Sequence, residues 1–209
     1  MYSGNDGRLA RGTARRMLLM DAAVKVVANA GAGALTHRAV AAEAQVSIAS
    51  VTYHFGSIGE LRRETFAYAG SSIGLELADL VLAAGARIDD VPEICASYAE
   101  RLVVERRVQT AAVFELIIAA GHDDELKPVV ALYNGMLADL LAPYAGGQTR
   151  ARTVGAAVQG LLLAQLASAF PVVPAELADA VSDLIRRYRA HAPAQAGREA
   201  FGNDTTMKR

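Results

Sequence analysis

The stretch LTHRAVAAEAQVSIASVTYHFGS, residues 35–57, contains two short segments that each follow a hydroxyl residue able to cap a helix. The first covers about 37–44 after Thr36, the second covers about 48–54 after Ser47, and Gln45 with Val46 forms the turn between them. Isolated helices shorter than about 12 residues are marginal in water, so each segment needs a neighbour. The spacing predicts a helix-turn-helix, whose second helix lies in the DNA major groove.

The side chains of this stretch suit that motif. Ala41 is small enough for the two helices to approach closely, and Val46 and Val51 supply apolar contacts behind the turn. The outer side of the second helix is expected to carry small or polar groups, namely Ala49, Ser50, Thr52, Tyr53 and His54. Two short helices of a larger bundle would show the same spacing, so the pattern alone leaves that reading open.

The rest of the chain predicts an all-α protein. Apolar residues recur with helical periodicity, and no convincing alternating pattern of a strand is present. Ser57 and Glu60 form a capping box that opens the fourth helix. The other helices are expected at about 13–30, 91–106, 108–120, 126–141, 149–170 and 174–191, with a flexible arm at 1–12 and a flexible tail at 192–209.

Composition limits the possible functions. The chain has 209 residues, a net charge of −1 and one cysteine, Cys95, so an intrachain disulfide or a cysteine-based metal site is excluded. The first 56 residues hold six basic and three acidic side chains, which suggests a basic head on an acidic remainder. The polar N-terminus does not resemble a signal peptide, and we expect a cytoplasmic protein.

Two other segments invite alternative interpretations. Residues 153–175 lack charge, but Gln159, Gln165 and Ser168 favour a helix buried between protein layers over a membrane span. His122 and the acidic residues 123–125 could suggest a metal site, but acidic residues also complement the dipole at the start of the seventh helix, and His122 lies just outside that helix. We expect no metal and no cofactor. No catalytic constellation or phosphate-binding loop is visible, so we do not expect an enzyme.

Residues from about Arg15 to Leu61 resemble the DNA-binding domain of the TetR family of bacterial transcriptional repressors. The matching residues are Leu19, Ala22, Ala23, Gly31, Leu35, Thr36, Ala41, Glu43, Ala44, Val46, Ser47, Tyr53, His54, Phe55, Ser57, Glu60 and Leu61. Three positions depart from the family pattern. Gln45 replaces a turn glycine, Thr52 replaces a tyrosine, and Ile58 replaces a phosphate-pairing lysine.

The resemblance implies a DNA-binding domain at 13–56 and an effector-binding and dimerisation domain at 57–191. It also implies a homodimer paired through its last two helices. It further implies that some core residues of helices 5 to 8 line an effector cavity, and the candidates are Tyr98, Leu102, Phe114, Ile117, Tyr133, Met136, Gln159 and Leu163. Few of these side chains are polar, so we expect an uncharged, hydrophobic or aromatic effector.

Side-chain chemistry divides the expected DNA contacts into two groups. Thr36, Ser47, Tyr53 and His54 are expected to bind phosphates, and His37 belongs to the same predicted site. Arg38, Ser50 and Thr52 are the expected base readers, and Ala49 is suited to contact a thymine methyl group. The alternatives are a helical interaction protein that does not bind DNA and, more remotely, a small-molecule enzyme. Binding to genomic DNA would separate the first alternative from a regulator.

Overall fold

The computed structural model describes residues 6–83, 89–169 and 173–190. Within these ranges all regular structure is helical, with nine α-helices and one 3₁₀-helix, so the all-α prediction is confirmed. The helices are α1 (Asp6–Ala30), the 3₁₀-helix (Ala32–Ala34), α2 (His37–Glu43), α3 (Ile48–His54), α4 (Ile58–Ala83), α5 (Val91–Val104), α6 (Arg107–Ala119), α7 (Lys127–Ala145), α8 (Gln148–Leu166) and α9 (Pro174–Ala190).

Helices α1 to α3 form a small N-terminal unit, residues 6–56, which we call the head. One stripe of α1 faces inward, and its Leu19, Ala23 and Val27 are fully buried. Val51 of α3 and Phe55 after it complete this core, also without exposed surface. The head is therefore a three-helix unit, in which α2 packs on α1 and α3 packs on α2, so each short helix is stabilised by a neighbour.

The predicted start of α1 was wrong. The helix begins at Asp6, seven residues before the expected Thr13, so most of the predicted flexible arm at 1–12 is helical. The prediction relied on apolar periodicity, and the segment 6–15 has too few apolar residues to show it. A polar segment without proline can nevertheless continue a helix that is nucleated elsewhere. Residues 1–5 and the predicted tail at 192–209 lie outside the described residues.

Helix α4 joins the head to the rest of the chain. It has 26 residues and is long and apolar enough to cross a membrane by those two criteria alone. Its apolar side chains instead pack inside the protein, since Leu61, Phe66 and Val81 are at most 1% exposed. The segment suspected from sequence, 153–175, does not meet the same criteria within its described part.

Helices α5 to α9 form the second unit, which we call the body. Helix α5 packs on α9, α7 packs on α8, and α6 is the helix of the body that packs against α1 of the head and against α4. Helix α7 continues four residues beyond its expected end at Leu141. Its Pro143 removes one backbone donor near the last turn, but the helix continues to Ala145 and is capped by Gly146 in the left-handed conformation. Helix α8 ends at Leu166, earlier than expected.

Helix α8 is only partly buried. Ala151, Val154 and Leu162 face the body, as the expectation of a buried helix requires. The opposite side is exposed in the single chain and carries small residues at helical spacing, among them Ala156, Gly160 and Ala164. The prediction that the whole of α8 is buried between protein layers therefore does not hold for the isolated chain.

Candidate nucleic-acid interface and effector cavity

Both short helices of the head begin at the predicted capping residues. The Thr36 hydroxyl accepts a hydrogen bond from the Ala39 amide at 3.0 Å, and the Ser47 hydroxyl accepts one from the Ser50 amide at 3.2 Å. Each cap satisfies one of the free amides at the start of its helix. Thr36 and Ser47 are exposed, so each hydroxyl can still donate its own proton to a phosphate oxygen.

The turn between α2 and α3 has the left-handed conformation for which the motif prefers glycine. Gln45 has a φ of 55° and is the one non-glycine residue with positive φ in the part of the chain that the structure describes. The conformation lets the Val46 amide donate to the Ala41 carbonyl at 2.9 Å, which closes the turn. A residue with a Cβ atom in this conformation is strained by about 1–2 kcal/mol.

The outward side of α3 carries the small and polar side chains that the sequence predicts. Ala49, Thr52 and Tyr53 are exposed, and Tyr53 reaches 85% exposure, which is high for a large aromatic residue. The Thr52 hydroxyl donates to the backbone carbonyl of Ala49 at 3.2 Å or of Ile48 at 3.3 Å. Its methyl group therefore becomes the more available part for base contact. Sequence reasoning missed Ile48, whose side chain is 45% exposed on the same helix.

Two side chains of the head hold the C-terminal end of α3. The His37 Nε2 atom donates to the Phe55 carbonyl at 2.8 Å, and Arg16 donates to the His54 carbonyl at 3.1 Å. The Arg16 guanidinium also lies over the Phe55 ring, 4.6 Å from its centroid. His37 was predicted as a DNA contact, but in this structure its ring is engaged in fixing α3. The role of Arg16 was missed, since no sequence motif marks it.

The remaining predicted contacts lie around the same surface. Arg38 is exposed on α2, one residue after His37, and Ser50 and His54 are half-buried on α3. Helix α4 begins beside them with the predicted capping residues, since the Glu60 amide donates to the Ser57 hydroxyl at 3.0 Å. The Glu60 carboxylate accepts from the Gly56 amide at 2.8 Å, one residue earlier than in the usual capping box.

The body contains an apolar cavity of about 70 Å³ between α4, α5, α7, α8 and α9. The predicted residues Tyr98, Leu102, Tyr133 and Gln159 line it. The sequence prediction missed the other lining residues, most of which are apolar and lie four residues apart or at similar helical spacing within α4, α5, α7 and α8. They are Ile73, Leu77, Cys95, Ala99, Leu137, Leu141, Gly155, Val158, Leu162 and Ile185.

The other four predicted cavity residues do not line the cavity. Phe114 and Ile117 lie on α6, which packs against α1 and α4 and forms no wall of the cavity. Met136 points to α4, where a Cβ atom added to Gly74 would meet its Cε atom at 2.0 Å. Leu163 is 39% exposed, while its neighbour Leu162 lines the cavity. Met136 and Leu163 are each one residue from a lining position, which rotates the side chain by about 100°.

Two tyrosines and Gln159 give the cavity its polar side chains, and the Gln159 amide donates to Asn134 at 3.1 Å. The Tyr98 hydroxyl donates to the backbone carbonyl of Ile73 at 2.8 Å. The Tyr133 hydroxyl has no hydrogen-bond partner among the described residues, although its ring is 9% exposed and packs edge-on against Phe66. Burial raises the pKa of Tyr133 to about 12, so the hydroxyl keeps its proton at neutral pH. Tyr133 can therefore donate a hydrogen bond to a molecule in the cavity.

A charged cluster connects the cavity wall to α4. Glu76 of α4 accepts hydrogen bonds from Arg101 and Arg106, both at 2.6 Å, and its carboxylate lies 3.4 Å from the Tyr98 hydroxyl. Burial opposes the charge on Glu76, but the guanidinium groups, Arg106 above all, outweigh this and lower its pKa. The carboxylate nearest to the cavity is therefore neutralised by protein groups.

Comparison with known families decides what this arrangement is. Residues 19–65 match the model of the bacterial regulatory proteins of the tetR family, and residues 86–188 match the tetracyclin repressor-like C-terminal domain. The two matches follow each other in the order of head and body. The chain belongs to the TetR family of transcriptional regulators. The family comprises DNA-binding regulators and not enzymes, and the head is its helix-turn-helix domain.

Solved TetR-like structures agree with this assignment. A TetR family member from Streptomyces coelicolor A3, SCO1917, is 29% identical over 81% of this chain and 97% of its own, with a TM-score of 0.68. The multidrug binding protein EbrR in complex with ethidium is 29% identical over the same shares, with a TM-score of 0.63. A transcriptional regulator from Pseudomonas aeruginosa PAO1 has a TM-score of 0.74 at 16% identity, which shows the shared fold alone. No curated protein matches the sequence.

In this TetR regulator, α4 is bound to both units by polar contacts. On the head side, Glu64 pairs with Arg16 at 3.1 Å, and the Tyr68 hydroxyl donates to Asp21 at 2.7 Å. Burial and then this hydrogen bond raise the pKa of Tyr68 to about 12. A displacement of α4 would therefore carry the head with it.

The acidic run that sequence reasoning weighed as a metal site makes contacts of another kind. Asp123 pairs with Arg62 at 3.1 Å, Glu125 pairs with Arg63, and Asp124 pairs with Lys127 at 2.5 Å. The loop between α6 and α7 is thus tied to the beginning of α4. The described residues contain no group of three or more potential metal ligands.

Proposed function

We propose that this TetR regulator is a cytoplasmic repressor that binds a pseudo-palindromic operator as a homodimer. An uncharged, hydrophobic or aromatic small molecule in the body cavity releases it from DNA. The observation that carries the proposal is the coexistence of an exposed recognition helix and an apolar cavity, with α4 following the recognition helix in the chain and lining the cavity through Ile73 and Leu77. A ligand that favours one position of α4 then changes DNA affinity by its differential affinity for the two states.

Recognition of DNA by this chain relies on few base-reading side chains. Helix α3 has no arginine, lysine, asparagine or glutamine, so direct readout falls to Arg38 of α2, Ser50 and the methyl groups of Ala49 and Thr52. Tyr53, His54, Thr36 and Ser47 bind phosphates and set the register. His37 acts indirectly, because its ring fixes the end of α3.

Footprinting on operators selected from a random library tests this assignment. Arg38→Ala is expected to weaken operator binding by about 1–3 kcal/mol and to relax selectivity at one base position in each half-site. Half-sites are expected about one helical turn apart. Arg107→Gln removes a cation from α6 and serves as the control. An equal loss on all sequences would identify Arg38 as a phosphate contact.

The exposed side of α8 supports the homodimer. Ala156, Gly160 and Ala164 leave this side flat, so a second helix can approach closely. Ala164→Glu places a charge on a surface that is open in the single chain, and it therefore disrupts the protein only where a partner covers the site. We expect the variant to lose dimerisation and operator binding together, while Ala131→Glu on exposed α7 surface loses neither. Light scattering that finds the unmodified protein monomeric at micromolar concentration would refute the dimer.

The cavity lining supports an apolar effector. Pockets for drug-sized ligands have volumes of about 300–1,000 Å³, so a cavity of about 70 Å³ must enlarge before it accepts one. EbrR was solved with ethidium and with proflavin, both planar aromatic molecules. Because Glu76 is already neutralised by Arg101 and Arg106, we propose an aromatic molecule without charge for this chain.

A panel of neutral aromatic, cationic aromatic and anionic compounds tests the effector class. Neutral aromatic compounds are expected to raise the melting temperature and to release the selected operator. Release of the operator by anionic compounds alone would overturn the cavity assignment. Release by cationic compounds alone would show that Glu76 leaves its arginine partners and pairs with the ligand. If the purified protein binds neither genomic fragments nor selected DNA, the alternative of a helical interaction protein without DNA binding gains support.

A further inference from the structure

The first turns of α1 extend beyond the packed part of the head. Every residue from Ala10 to Arg15 is exposed. A Cβ atom added to Gly12 would have no heavy atom within 4 Å, so none of the residues that the structure describes covers this part of the helix. A helical segment without tertiary packing is marginal in water, so the extension is unexplained by the fold of the single chain.

The charge of this extension is one-sided. Arg8, Arg11 and Arg15 are spaced by three and four residues, which places them on one side of the helix. Arg11 and Arg15 are exposed and form no ion pair among the described residues. Like charges four residues apart on a helix repel each other, so the arrangement does not stabilise the helix itself. A polyanion that covers this side would remove the repulsion.

The position of the extension points to the polyanion concerned. Arg16, directly after it, donates to the His54 carbonyl at the C-terminal end of α3 and lies over Phe55. The preceding turns therefore begin beside the end of the recognition helix. A helix in the major groove has a phosphate backbone along each edge, so the chain next to its end faces one of those backbones. With a rise of about 1.5 Å per residue, Arg11 lies about 7.5 Å along α1 from Arg16.

We propose that Arg11 and Arg15 form a second DNA contact, which binds backbone phosphates at the edge of each half-site. This inference rests on the proposed function and extends it. The match to the tetR-family model begins at residue 19, so the basic extension lies outside the part of the head that the model covers. The contact adds affinity on any sequence and does not read bases.

The salt dependence of DNA binding tests this proposal. The probes are an operator selected with the unmodified protein and a fluorescein-labelled 30-base-pair duplex of random sequence. Each phosphate contact contributes about −0.9 to the slope of log K against log salt concentration. The double variant Arg11→Gln/Arg15→Gln removes four arginines from the dimer. We therefore expect the magnitude of its negative slope to fall by about 3–4, and by the same amount on both probes.

Two further variants separate charge from structure. Glutamine and lysine have helix propensities close to that of arginine, so both double variants keep α1 helical. Arg11→Lys/Arg15→Lys is expected to keep most of the slope, and Arg107→Gln on α6 is expected to keep all of it. An unchanged slope in the glutamine double variant overturns this proposal while leaving the proposed function intact. Failure of the unmodified protein to bind either duplex overturns both.

Discussion

The head and the body of this regulator differ in what holds their helices in place. The head's α2 and α3 have seven residues each, begin at hydroxyl caps, and enclose a core whose Val51 and Phe55 have no exposed surface. The body's helices have 13 to 19 residues, and all of them except α6 line a cavity together with α4. A DNA-binding unit must hold its contacting side chains in fixed positions, whereas a unit that binds an effector must be able to change its packing. The difference in packing follows the difference in task.

The largest expected effect comes from opening the head's core. Phe55→Ala removes a fully buried ring that also lies under the Arg16 guanidinium, and we expect a loss of about 3–5 kcal/mol in the free energy of unfolding. Leu162→Ala in the cavity wall should cost less, because that side chain already borders empty space. Urea denaturation of both variants measures the contrast. Equal losses would mean that the head is not packed more tightly than the body.

The next largest effect concerns the charged cluster at the cavity wall. Glu76→Gln leaves Arg101 and Arg106 without their carboxylate, and we expect a loss of about 1.5–3 kcal/mol at neutral pH. Because the folded protein lowers the pKa of Glu76, its stabilising contribution is present above the unfolded value and is lost as pH falls through the folded value. The difference between the two proteins should therefore shrink below about pH 4.5. A difference that stays constant through acid denaturation would exclude this charge as its source.

A matched pair of tyrosines gives a smaller and more selective effect. Tyr98→Phe removes the hydrogen bond from the hydroxyl to the Ile73 carbonyl, and we expect a loss of about 1 kcal/mol in unfolding free energy. Tyr133→Phe removes a hydroxyl that has no partner among the described residues, so stability should hardly change while effector affinity falls several-fold. Thermal unfolding and calorimetric titration separate the two results. A stability loss in Tyr133→Phe equal to that in Tyr98→Phe would assign its hydroxyl a structural role.

The smallest expected effect is a gain of stability in the head. Gln45→Gly relieves a left-handed residue at the turn, but it also adds backbone freedom to the unfolded chain, so we expect a net gain of at most about 1 kcal/mol. A matched Gln45→Ala variant keeps the strain and should show no gain. The urea midpoints of the two variants and the unmodified protein are compared, on condition that the dependence of unfolding free energy on urea concentration is the same in all three. Equal stability of the glycine and alanine variants would mean that the turn is not strained.

The same contrast explains which parts could be predicted from sequence. Helices α2 and α3 were placed within one residue because caps at Thr36 and Ser47 act on amides three residues away, and such signals are local. The beginning of α1 was missed because residues 10–15 are exposed, and apolar periodicity marks only turns that pack on other elements. The two predictions used different signals, and only the capping signal is independent of tertiary packing.

The cavity was predicted less well because its position depends on how whole helices are rotated. Tyr98 and Leu102 were placed correctly, but Met136 and Leu163 each fall one residue from a lining position. Phe114 was misplaced with all of α6, which packs toward the head. The bonds from Arg16 and Arg62 to distant partners carry no sequence signal, since each joins residues about 40 to 60 positions apart.

Release of DNA by occupation of the cavity is the central claim, and fluorescence anisotropy on a selected operator tests it most directly. The unmodified protein is compared with Gly155→Leu, whose new side chain extends from the cavity wall at a position where an added Cβ atom has no heavy atom within 4 Å, and is designed to fill the cavity. We expect a neutral aromatic compound to weaken operator binding by the unmodified protein about 5- to 150-fold, the usual range of allosteric coupling. The filled variant should bind the operator and ignore the compound. Equal release from both proteins would contradict the account, because the compound would then act outside the cavity.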